Sequence, residues 1–540
     1  MLREVARIVA LPVLPPIEQR AAPFGQGLHL PGSTRTLRPI QVAALGEAQR
    51  AGGLLGIIGV GQGKFLISVL AASVIPCERP LLLVPPALVE QTRTELQEWS
   101  QHVRVHPNLI VMSYNDLSTV AGQARLADAA PDLIIADEVH HLRHEGSART
   151  RRVVRWVLDH PTTRFVALSG TMSSRSVLDY DHLAELALRE RSPLPTEWVE
   201  AEAWAAVLDP GGEPTDHQLA AVAPLLKAFP ASTPAASLHA RLSSAPGVVC
   251  TVDTSAAQCS LRVDMRRFSP PAELKEAMRV LRTTWTLPDG TELLRACEFA
   301  AAVKQLQMGF YYVWDWGSLG GKNEQWLAAR AAWARVVRVL LERKLSEVDS
   351  PLQVEQYVQA HGTRSQRDEL EHWLAIADTV TPPVATRWVS HDVVDHVLDR
   401  LDVLEAERGP VLVWCEHRAT LEVLADCGVR VLRPGDAVPT TPTTLALPRH
   451  SFGVGKNLQA WSTSLVLEPT ASGTTWEQLI GRTHREGQQE DDVLLEVPFW
   501  DGMALVYLKS AMEDAQYVQD STGQKQKLLL ASTTPPANFL

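Results

Sequence analysis

Short, continuously apolar runs recur in two parts of the chain, and turn residues flank them. Runs of this length that are rich in Val, Ile and Leu are typical of strands buried on both faces of a parallel sheet. In the first part, the predicted strands are residues 54–58, 80–84, 108–112, 132–136 and 164–168. In the second part, they are residues 410–414, 428–432, 443–447, 464–468 and 492–496. Stretches with helical spacing separate several of the runs, so the pattern predicts an α/β protein built from βαβ units.

The sequence between the two strand-rich parts has a different texture. It is rich in Ala, Leu and Pro at 173–250, and it is mostly of helical character with many Trp, Tyr and Arg residues at 270–380. We therefore predict two parallel-sheet units in tandem, with a mainly helical insertion between them. The predicted boundaries are a leader at 1–36, a first unit at 37–255 with its own helical insertion at about 173–250, an insertion at 256–390, a second unit at 391–515 and a tail at 516–540.

Two apolar segments outside the predicted strands need an interpretation. The first residues, MLREVARIVALPVLPP, are too few to span a bilayer and are interpreted as a strand or an extended leader. The densest aromatic run, GFYYVWDWGSLGGKNEQW at 309–326, is interpreted as a buried helical core with a Gly-rich turn. Stacking of nucleic-acid bases on Tyr312 or Trp316 is the alternative.

Composition narrows the classes of protein. The 540 residues are 45 % hydrophobic and 21 % charged, which is ordinary for a soluble globular protein. The formal net charge of -11 argues against a uniformly basic surface for nucleic acid, although local basic patches remain open. The six cysteines form no CxxC pair, so we expect neither zinc nor a disulfide framework. The expected location is the cytoplasm, with no membrane partner.

The stretch GVGQGKF at 59–65 follows a predicted strand and opens a helical run. Glycines in that position let backbone N–H groups surround a phosphate, and a following lysine reaches the β- and γ-phosphates of a nucleotide. The candidate phosphate-binding residues are Gly61, Gln62, Gly63, Lys64 and Phe65. Phe65 stands where a Ser or Thr normally gives a hydroxyl to Mg²⁺. A Gly-rich turn with no ligand is the alternative.

Two further segments carry candidate catalytic groups. In DLIIADEVHH at 132–141, Asp137 and Glu138 end a predicted strand, where one acid can hold Mg²⁺ and the next can deprotonate an attacking water. In QLIGRTHREGQ at 478–488, Arg482 and Arg485 lie three residues apart on one helical face, as arginines that stabilise a phosphoryl group would. The alternatives are an ordinary acid pair or helix cap, and a solvated basic helix face.

Together these segments resemble motifs of the superfamily 2 helicases and translocases. GQGK, DEVH, SGT and QLIGRTHREGQ are similar to motifs I, II, III and VI, and GRTHREGQ is especially similar to the Swi/Snf-type branch. LRPIQ at 37–41 resembles the adenine-sensing segment, VPPALVEQ at 84–91 motif Ia and VMSYNDL at 111–117 motif Ib. VLVWCEHRATLEVLA at 411–425 resembles motif IV, and SFGVGKNLQAWS at 451–462 resembles motif V. The resemblance covers roughly residues 35–500, and the compact set resembles bacteriophage helicase-like ATPases.

The resemblance implies two RecA-like lobes that bind ATP and Mg²⁺ between them and DNA across both. It implies roles for Gln41 as the adenine reader, for Asp137 as a metal ligand held directly or through water, for Glu138 as the base, and for Gln478, Arg482 and Arg485 in catalysis. It implies coupling through Ser169, Gly170 and Thr171. Implied contacts to the nucleic-acid backbone include Pro85, Ser113, Tyr114, Gly455 and Asn457.

The implied activity is ATP-dependent translocation on single- or double-stranded DNA in replication, recombination or remodelling of protein–DNA complexes, with replication or recombination proteins as partners. Arg149 and Arg152 of the basic segment 143–156 are added as phosphate contacts, with a solvated helix face as the alternative. Phe65 departs from the family pattern and puts turnover in question. An RNA-directed ATPase and a nucleotide-binding scaffold therefore stay open.

Overall fold

The computed structural model describes residues 2–20, 27–59, 62–173, 175–251, 259–319, 323–342, 351–381, 383–452, 457–485 and 487–534. It is an α/β structure with two six-stranded sheets, each entirely parallel, and a separate two-stranded ribbon. None of the helices in these ranges is long and apolar enough to cross a lipid bilayer.

The first sheet has the strand order β3-β2-β4-β5-β1-β6. Its strands are β1 (Leu54–Ile57), β2 (Pro80–Val84), β3 (Ile110–Ser113), β4 (Leu133–Asp137), β5 (Arg164–Ser169) and β6 (Val248–Cys250). The five strands predicted in this part are confirmed. Most of their residues are buried because helices cover both faces, with one apolar cluster on each side of the sheet.

The helices of this part of the chain connect the strands or pack beyond them. They are α1 (Leu2–Ala10), α2 (Pro39–Ala51), α3 (Lys64–Val74), α4 (Val89–Trp99), α5 (Val120–Ala129), α6 (Ala148–Asp159), α7 (Asp181–Leu188), α8 (Trp198–Leu208), α9 (Asp216–Ala228) and α10 (Pro234–Ser243). Each crossover between neighbouring parallel strands therefore runs through at least one helix.

The prediction of a strand or extended leader at the start of the chain is wrong. Leu2–Ala10 is a helix. Val5 and Ile8, one turn apart, are buried in the cluster that also holds the side chains of α9. Glu4 and Arg7 pair at 2.9 Å on the polar side. This three-residue spacing is helical and would not place the two apolar side chains on one face of a strand.

The second sheet has the order β11-β10-β12-β13-β7-β14. Its strands are β7 (Ser260–Arg267), β10 (Val411–Cys415), β11 (Leu445–Pro448), β12 (Thr463–Val466), β13 (Asp492–Phe499) and β14 (Ser532–Thr534). The predicted strand at 428–432 is wrong. Only Val431 bridges β11, at Ala446, because the chain leaves Gly428 with φ +90° and turns away again at Gly435.

The sheet boundary drawn at residue 391 also needs correction. β7 lies within 256–390, yet it pairs with β13 along eight residues and occupies the interior of the second sheet. β14, in the segment assigned to a tail, pairs with the other side of β7. The second sheet therefore draws on strands from before and after the predicted second unit.

The part of the chain between β7 and β10 contains helices and a two-stranded ribbon. Its helices and those that follow are α11 (Ala272–Thr284), α12 (Ala296–Gln307), α13 (Glu324–Glu342), α14 (Pro351–His361), α15 (Arg364–Ala377), α16 (Asp392–Arg408), α17 (Arg418–Asp426), α18 (Arg449–Phe452), α19 (Gly473–Thr483), α20 (Met503–Thr522) and α21 (Lys527–Leu530). The aromatic run predicted as helical instead begins with a strand, β8 (Phe310–Trp314), which pairs antiparallel with β9 (Val384–Trp388). Four of its five residues are aromatic and the fifth is Val313, and residues of both kinds favour strands.

Candidate functional site

The Gly-rich turn between β1 and α3 is built around a glycine in the left-handed conformation. Gly63 has φ +76° and ψ 38° and caps α3. A Cβ atom there would lie 2.3 Å from Nε2 of Gln41, so the turn needs glycine for both its conformation and its packing. Gln41 Nε2 donates to the Gly63 carbonyl at 3.0 Å, and its Oε1 accepts from the Arg38 backbone at 2.8 Å. Gly61 lies outside the described residues, while Gln62 donates its backbone N–H to Gly59 at 3.4 Å.

Lys64 begins α3 and is buried against the turn that precedes it. Its Nζ donates to the carbonyls of Ile58 at 3.2 Å and Gly59 at 3.4 Å, and it lies 3.7 Å from Oε1 of Glu138. The neighbouring Phe65 is half-buried and offers no oxygen ligand. Ser68 is fully buried and donates its hydroxyl to the Phe65 carbonyl at 2.8 Å. The start of α3 thus places a cation, but no hydroxyl, beside the acids.

Asp137 and Glu138 follow one another where β4 ends. Glu138 has φ +52°, a conformation that non-glycine residues rarely adopt and that is found at functional sites. Its backbone N–H donates to the Asp137 carboxylate at 3.1 Å. Burial and the adjacent Glu138 charge raise the pKa of Asp137 to about 7. Two half-buried carboxylates side by side repel one another, and a divalent cation relieves that repulsion, so the acid pair fits Mg²⁺.

The Glu138 carboxylate is surrounded by charges of opposite sign. Burial opposes its ionisation, but the Lys64 charge, a hydrogen bond from His140 and the Arg482 charge outweigh burial and lower the pKa of Glu138. Glu138 Oε2 lies 3.3 Å from Nδ1 of His140 and also accepts from the Ser169 hydroxyl at 3.3 Å. At neutral pH, Glu138 is therefore an ionised acceptor held in one orientation.

Side chains of the β5 end connect this acid to the second sheet. His140 Nδ1 lies 3.1 Å from the Ser169 hydroxyl and 3.2 Å from the Thr171 hydroxyl, and Gly170 is buried between those two residues. Gln478 of α19 donates its Nε2 to Thr171 at 3.5 Å. The candidate site thus continues from β4 and β5 into a helix that packs on the other sheet.

Arg482 is a buried cation on α19, which packs on the second sheet. It is 6 % exposed and donates Nε to the Gln478 carbonyl at 3.1 Å. Burial lowers the pKa of Arg482 to about 10 against the opposing pull of Glu138, so Arg482 stays protonated at neutral pH. Arg485 is half-buried beyond the end of α19, and its charge also acts on Arg482. Lys64 and the two acids therefore share one site with Arg482, and Arg485 lies near enough to affect Arg482.

Two residues of this site do not appear among the predicted site residues. His140 was part of the DEVH match but had no assigned role. Thr251 follows β6, and its Oγ1 accepts the Gly59 backbone N–H at 2.9 Å, which holds the start of the phosphate-binding turn. Thr251 and Gly59 are 192 residues apart in the sequence, so no local sequence pattern could have predicted this contact.

Several predicted nucleic-acid contacts are occupied within the protein. Tyr114 is fully buried and donates its hydroxyl to the Asp137 carbonyl at 2.7 Å, so in this structure its side chain is not accessible to a nucleic-acid backbone. Arg152 donates to the Leu117 and Thr119 carbonyls. The remaining candidates differ in exposure: Pro85 and Ser113 are buried, Arg149 is half-buried and Asn457 is exposed, whereas Gly455 lies outside the described residues.

A scan against protein-family models and a search of curated proteins find no match to this chain.

A buried carboxylate also ends β12 in the second sheet. Glu468 is 1 % exposed and accepts from the Thr420 hydroxyl at 2.9 Å and from the Glu416 backbone N–H. Burial raises the pKa of Glu468 to about 7. Arg449 donates to the Glu468 backbone carbonyl and to the Glu416 carboxylate.

This carboxylate predicts a pH-dependent stability. A raised pKa means that the folded state binds the proton more tightly, so stability is lost as pH rises from about 4.5 to about 7. Relative to Glu468→Gln, the native chain is expected to lose up to about 3 kcal/mol of unfolding free energy across that window. Denaturant melts of both proteins at about pH 5 and pH 8 measure the change, with exposed Glu422→Gln as the control. An equal difference between the proteins at both pH values would contradict it.

Proposed function

We propose that the chain is an ATP-dependent nucleic-acid translocase or helicase that acts on DNA. In this proposal the two parallel sheets are RecA-like lobes in tandem, and the helices between β7 and β10 are an insertion. ATP and Mg²⁺ bind between the lobes, and DNA lies across both. The enzyme serves replication, recombination or remodelling of protein–DNA complexes in the cytoplasm, in keeping with the motif resemblance to superfamily 2.

The observation that carries the proposal is that α19 reaches the acid site of the first sheet. Gln478 of this helix donates to Thr171 at 3.5 Å. The charge of Arg482, on the same helix, lowers the pKa of Glu138. The acid ends a strand of the first sheet, and the arginine belongs to a helix packed on the second. A site assembled from two lobes is complete only when they are close together, so lobe movement and hydrolysis become coupled. Neither a surface acid pair nor a solvated basic helix accounts for a buried arginine whose charge acts on a half-buried acid of the other sheet.

Each residue then has a role in phosphoryl transfer. Lys64 leaves the loop carbonyls and contacts the β- and γ-phosphates, while Asp137 holds the metal directly or through water. Mg²⁺, when bound, neutralises charge on the phosphate oxygens. Glu138 orients and deprotonates the attacking water, and Arg482 with Arg485 stabilises charge that develops on the transferred group.

Phe65 is the feature that favours a second function, a nucleotide-binding scaffold. Neither it nor Ser68 offers a hydroxyl toward the acids, so the metal would have one protein ligand fewer than usual. Mg²⁺ keeps several waters in most sites, and a water can replace that ligand. We therefore place the native chain among active ATPases with a reduced rate.

Steady-state ATP hydrolysis with single-stranded DNA, double-stranded DNA and RNA tests the function. We expect the native chain to turn over ATP and DNA to stimulate it more than RNA does. Phe65→Thr is expected to raise the rate about tenfold, which corresponds to roughly 1.4 kcal/mol of barrier, and to lower the Mg²⁺ concentration needed for half the maximal rate. Phe299→Thr, which also removes a half-buried ring but lies on α12, controls for loss of the aromatic side chain.

Each other outcome selects a different function. A stronger response to RNA would make the chain an RNA-directed ATPase. If the native chain does not hydrolyse ATP but Phe65→Thr does, the chain is a translocase that is inactive because it lacks one hydroxyl ligand. If neither protein hydrolyses ATP but both still bind nucleotide, the chain is a nucleotide-binding scaffold.

A further inference from the structure

A basic cavity lies where β7 and β13 end, away from the candidate ATP cleft. Its volume is about 790 Å³. The charged and aromatic side chains that matter most in its lining are Arg267, Lys275, Arg279, Arg282, Trp500 and Asp501. None of them belongs to the segments that resemble helicase motifs. The cavity therefore has the size of a ligand site but no assigned ligand.

The charge of this lining is strongly positive in a protein whose formal net charge is -11. Arg282 pairs with the buried Asp501 at 2.6 Å, which fixes its position. Arg279 pairs with Glu276 at 2.6 Å, but both side chains are more than half exposed, so water and salt weaken that pair. The lining thus holds four cationic residues and one carboxylate, Asp501, and this excess of positive charge attracts anions.

The spacing of three of these cations suits a chain of phosphates better than a single phosphate. Lys275, Arg279 and Arg282 lie four and three residues apart on one stripe of α11. At a helical rise of about 1.5 Å per residue, the stripe is roughly 10 Å long. A free phosphate would contact only part of such a row, whereas a nucleic-acid strand presents a phosphate every few ångströms.

The cavity also lies on the edge of the sheet where nucleic acid is expected. All strands of the second sheet are parallel, so the ends of β7 and β13 share one edge with the end of β10, which begins the segment resembling motif IV. With about 4.8 Å between strands, the cavity is roughly 10–15 Å along that edge from β10. A strand crossing the end of β10 can continue over the cavity.

We infer that this cavity binds the phosphodiester backbone of a nucleic-acid strand and extends its track across the second sheet. The inference rests on the proposed function, because it assumes a nucleic-acid substrate. It adds a contact that the motif resemblance does not supply. Trp500 forms the apolar floor, since its Nε1 is already used by the Gln307 carbonyl at 2.8 Å.

The test measures binding of a fluorescent oligothymidylate by the full chain across a series of salt concentrations. The variant is Lys275→Gln with Arg279→Gln, which leaves the structural Arg282–Asp501 pair intact. Each lost phosphate contact lowers the slope of log K against log salt by about 0.7 for a single strand, so the double variant is expected to lower it by about 1.4. Affinity near 0.15 M salt is expected to fall about 14-fold.

The matched control is Arg364→Gln with Arg367→Gln, which removes two exposed positive charges from α15. It is expected to leave both quantities unchanged, and thermal melts check that all variants are folded. Equal slopes for the native chain and the cavity variant would overturn the inference, as would an equal loss in the control. Displacement of the strand from the native chain by inorganic phosphate at equal ionic strength would also overturn it, in favour of a small-anion site.

The result is separable from the fate of the proposed function. If the chain binds the nucleic-acid strand through the cavity but does not hydrolyse ATP, the inference is supported and the translocase function is ruled out. If DNA stimulates ATP hydrolysis but the cavity variant binds the strand as well as the native chain does, the translocase function stands and the inference is wrong.

Discussion

Glu138→Gln is expected to lower the maximal DNA-stimulated rate of ATP hydrolysis by about 10²- to 10⁴-fold, the usual contribution of a general base. Glutamine has nearly the same size and can still accept a hydrogen bond from Ser169, which lies 3.3 Å from the carboxylate. It cannot take a proton from water. The change therefore removes the chemistry and leaves the packing around β4 and β5 in place.

An acid with a lowered pKa is a weak base, and the geometry explains how Glu138 can still serve. The groups that lower its pKa are Lys64, His140 and Arg482. Two of these, Lys64 and Arg482, are the cations assigned to the phosphates of ATP. When nucleotide draws them away from the carboxylate, the pKa of Glu138 rises toward its ordinary range, and its basicity increases where it is needed.

The measurement separates chemistry from binding. The maximal rate should fall, while the affinity for a fluorescent ATP analogue should change by only a few-fold, because the acid contacts water rather than the base or sugar. Exposed Glu202→Gln on α8 is the control and should behave as the native chain. Full activity in Glu138→Gln would remove Glu138 as the base. If neither the native chain nor Glu138→Gln hydrolyses ATP, the scaffold function is favoured instead.

The pattern of apolar residues predicts strands well where the apolar run is continuous. It does not predict which strands pair when they are far apart in the sequence. Continuous apolar runs predict β1 to β5, and four of these strands are buried along most of their length, whereas the edge strand β3 is partly exposed. β7 alternates instead, with Leu261, Val263 and Met265 buried and the residues between them less so. Nothing in that alternation shows that its partner is β13, some 230 residues later. The sheet boundary was misplaced for this reason.

The candidate site also contains features that the sequence predicts and features that it does not. Lys64 begins the helix after β1, and Asp137 and Glu138 lie where β4 ends. All three belong to recognisable motifs, so their convergence could be predicted. The burial of Tyr114 could not, because its partner, the Asp137 carbonyl, is 23 residues away on another strand. Motif position suggested an exposed nucleic-acid contact, whereas the fold uses the same hydroxyl to hold the strand that carries the acids.

Arg482→Ala is expected to lower the maximal rate of ATP hydrolysis by about 10³- to 10⁵-fold, the effect of removing an arginine finger. Arg482 comes from α19 on the second sheet and is 6 % exposed, so water cannot replace its charge on the developing phosphate. Arg482→Lys keeps one charge but loses the fork and should recover only part of the rate. Exposed Arg367→Ala on α15 is the control.

The same variant tests whether hydrolysis needs both sheets. If the site is shared between them, Arg482→Ala should reduce the rate while ATP affinity, supplied mainly by the turn before α3, stays within about tenfold. Combining it with Glu138→Gln should cost little more than the larger single effect, because residues that act as one unit are not additive. Additive losses would mean that the two residues act separately. An unchanged rate in Arg482→Ala would mean that α19 contributes only to packing, and that closure of the two sheets is not what drives hydrolysis.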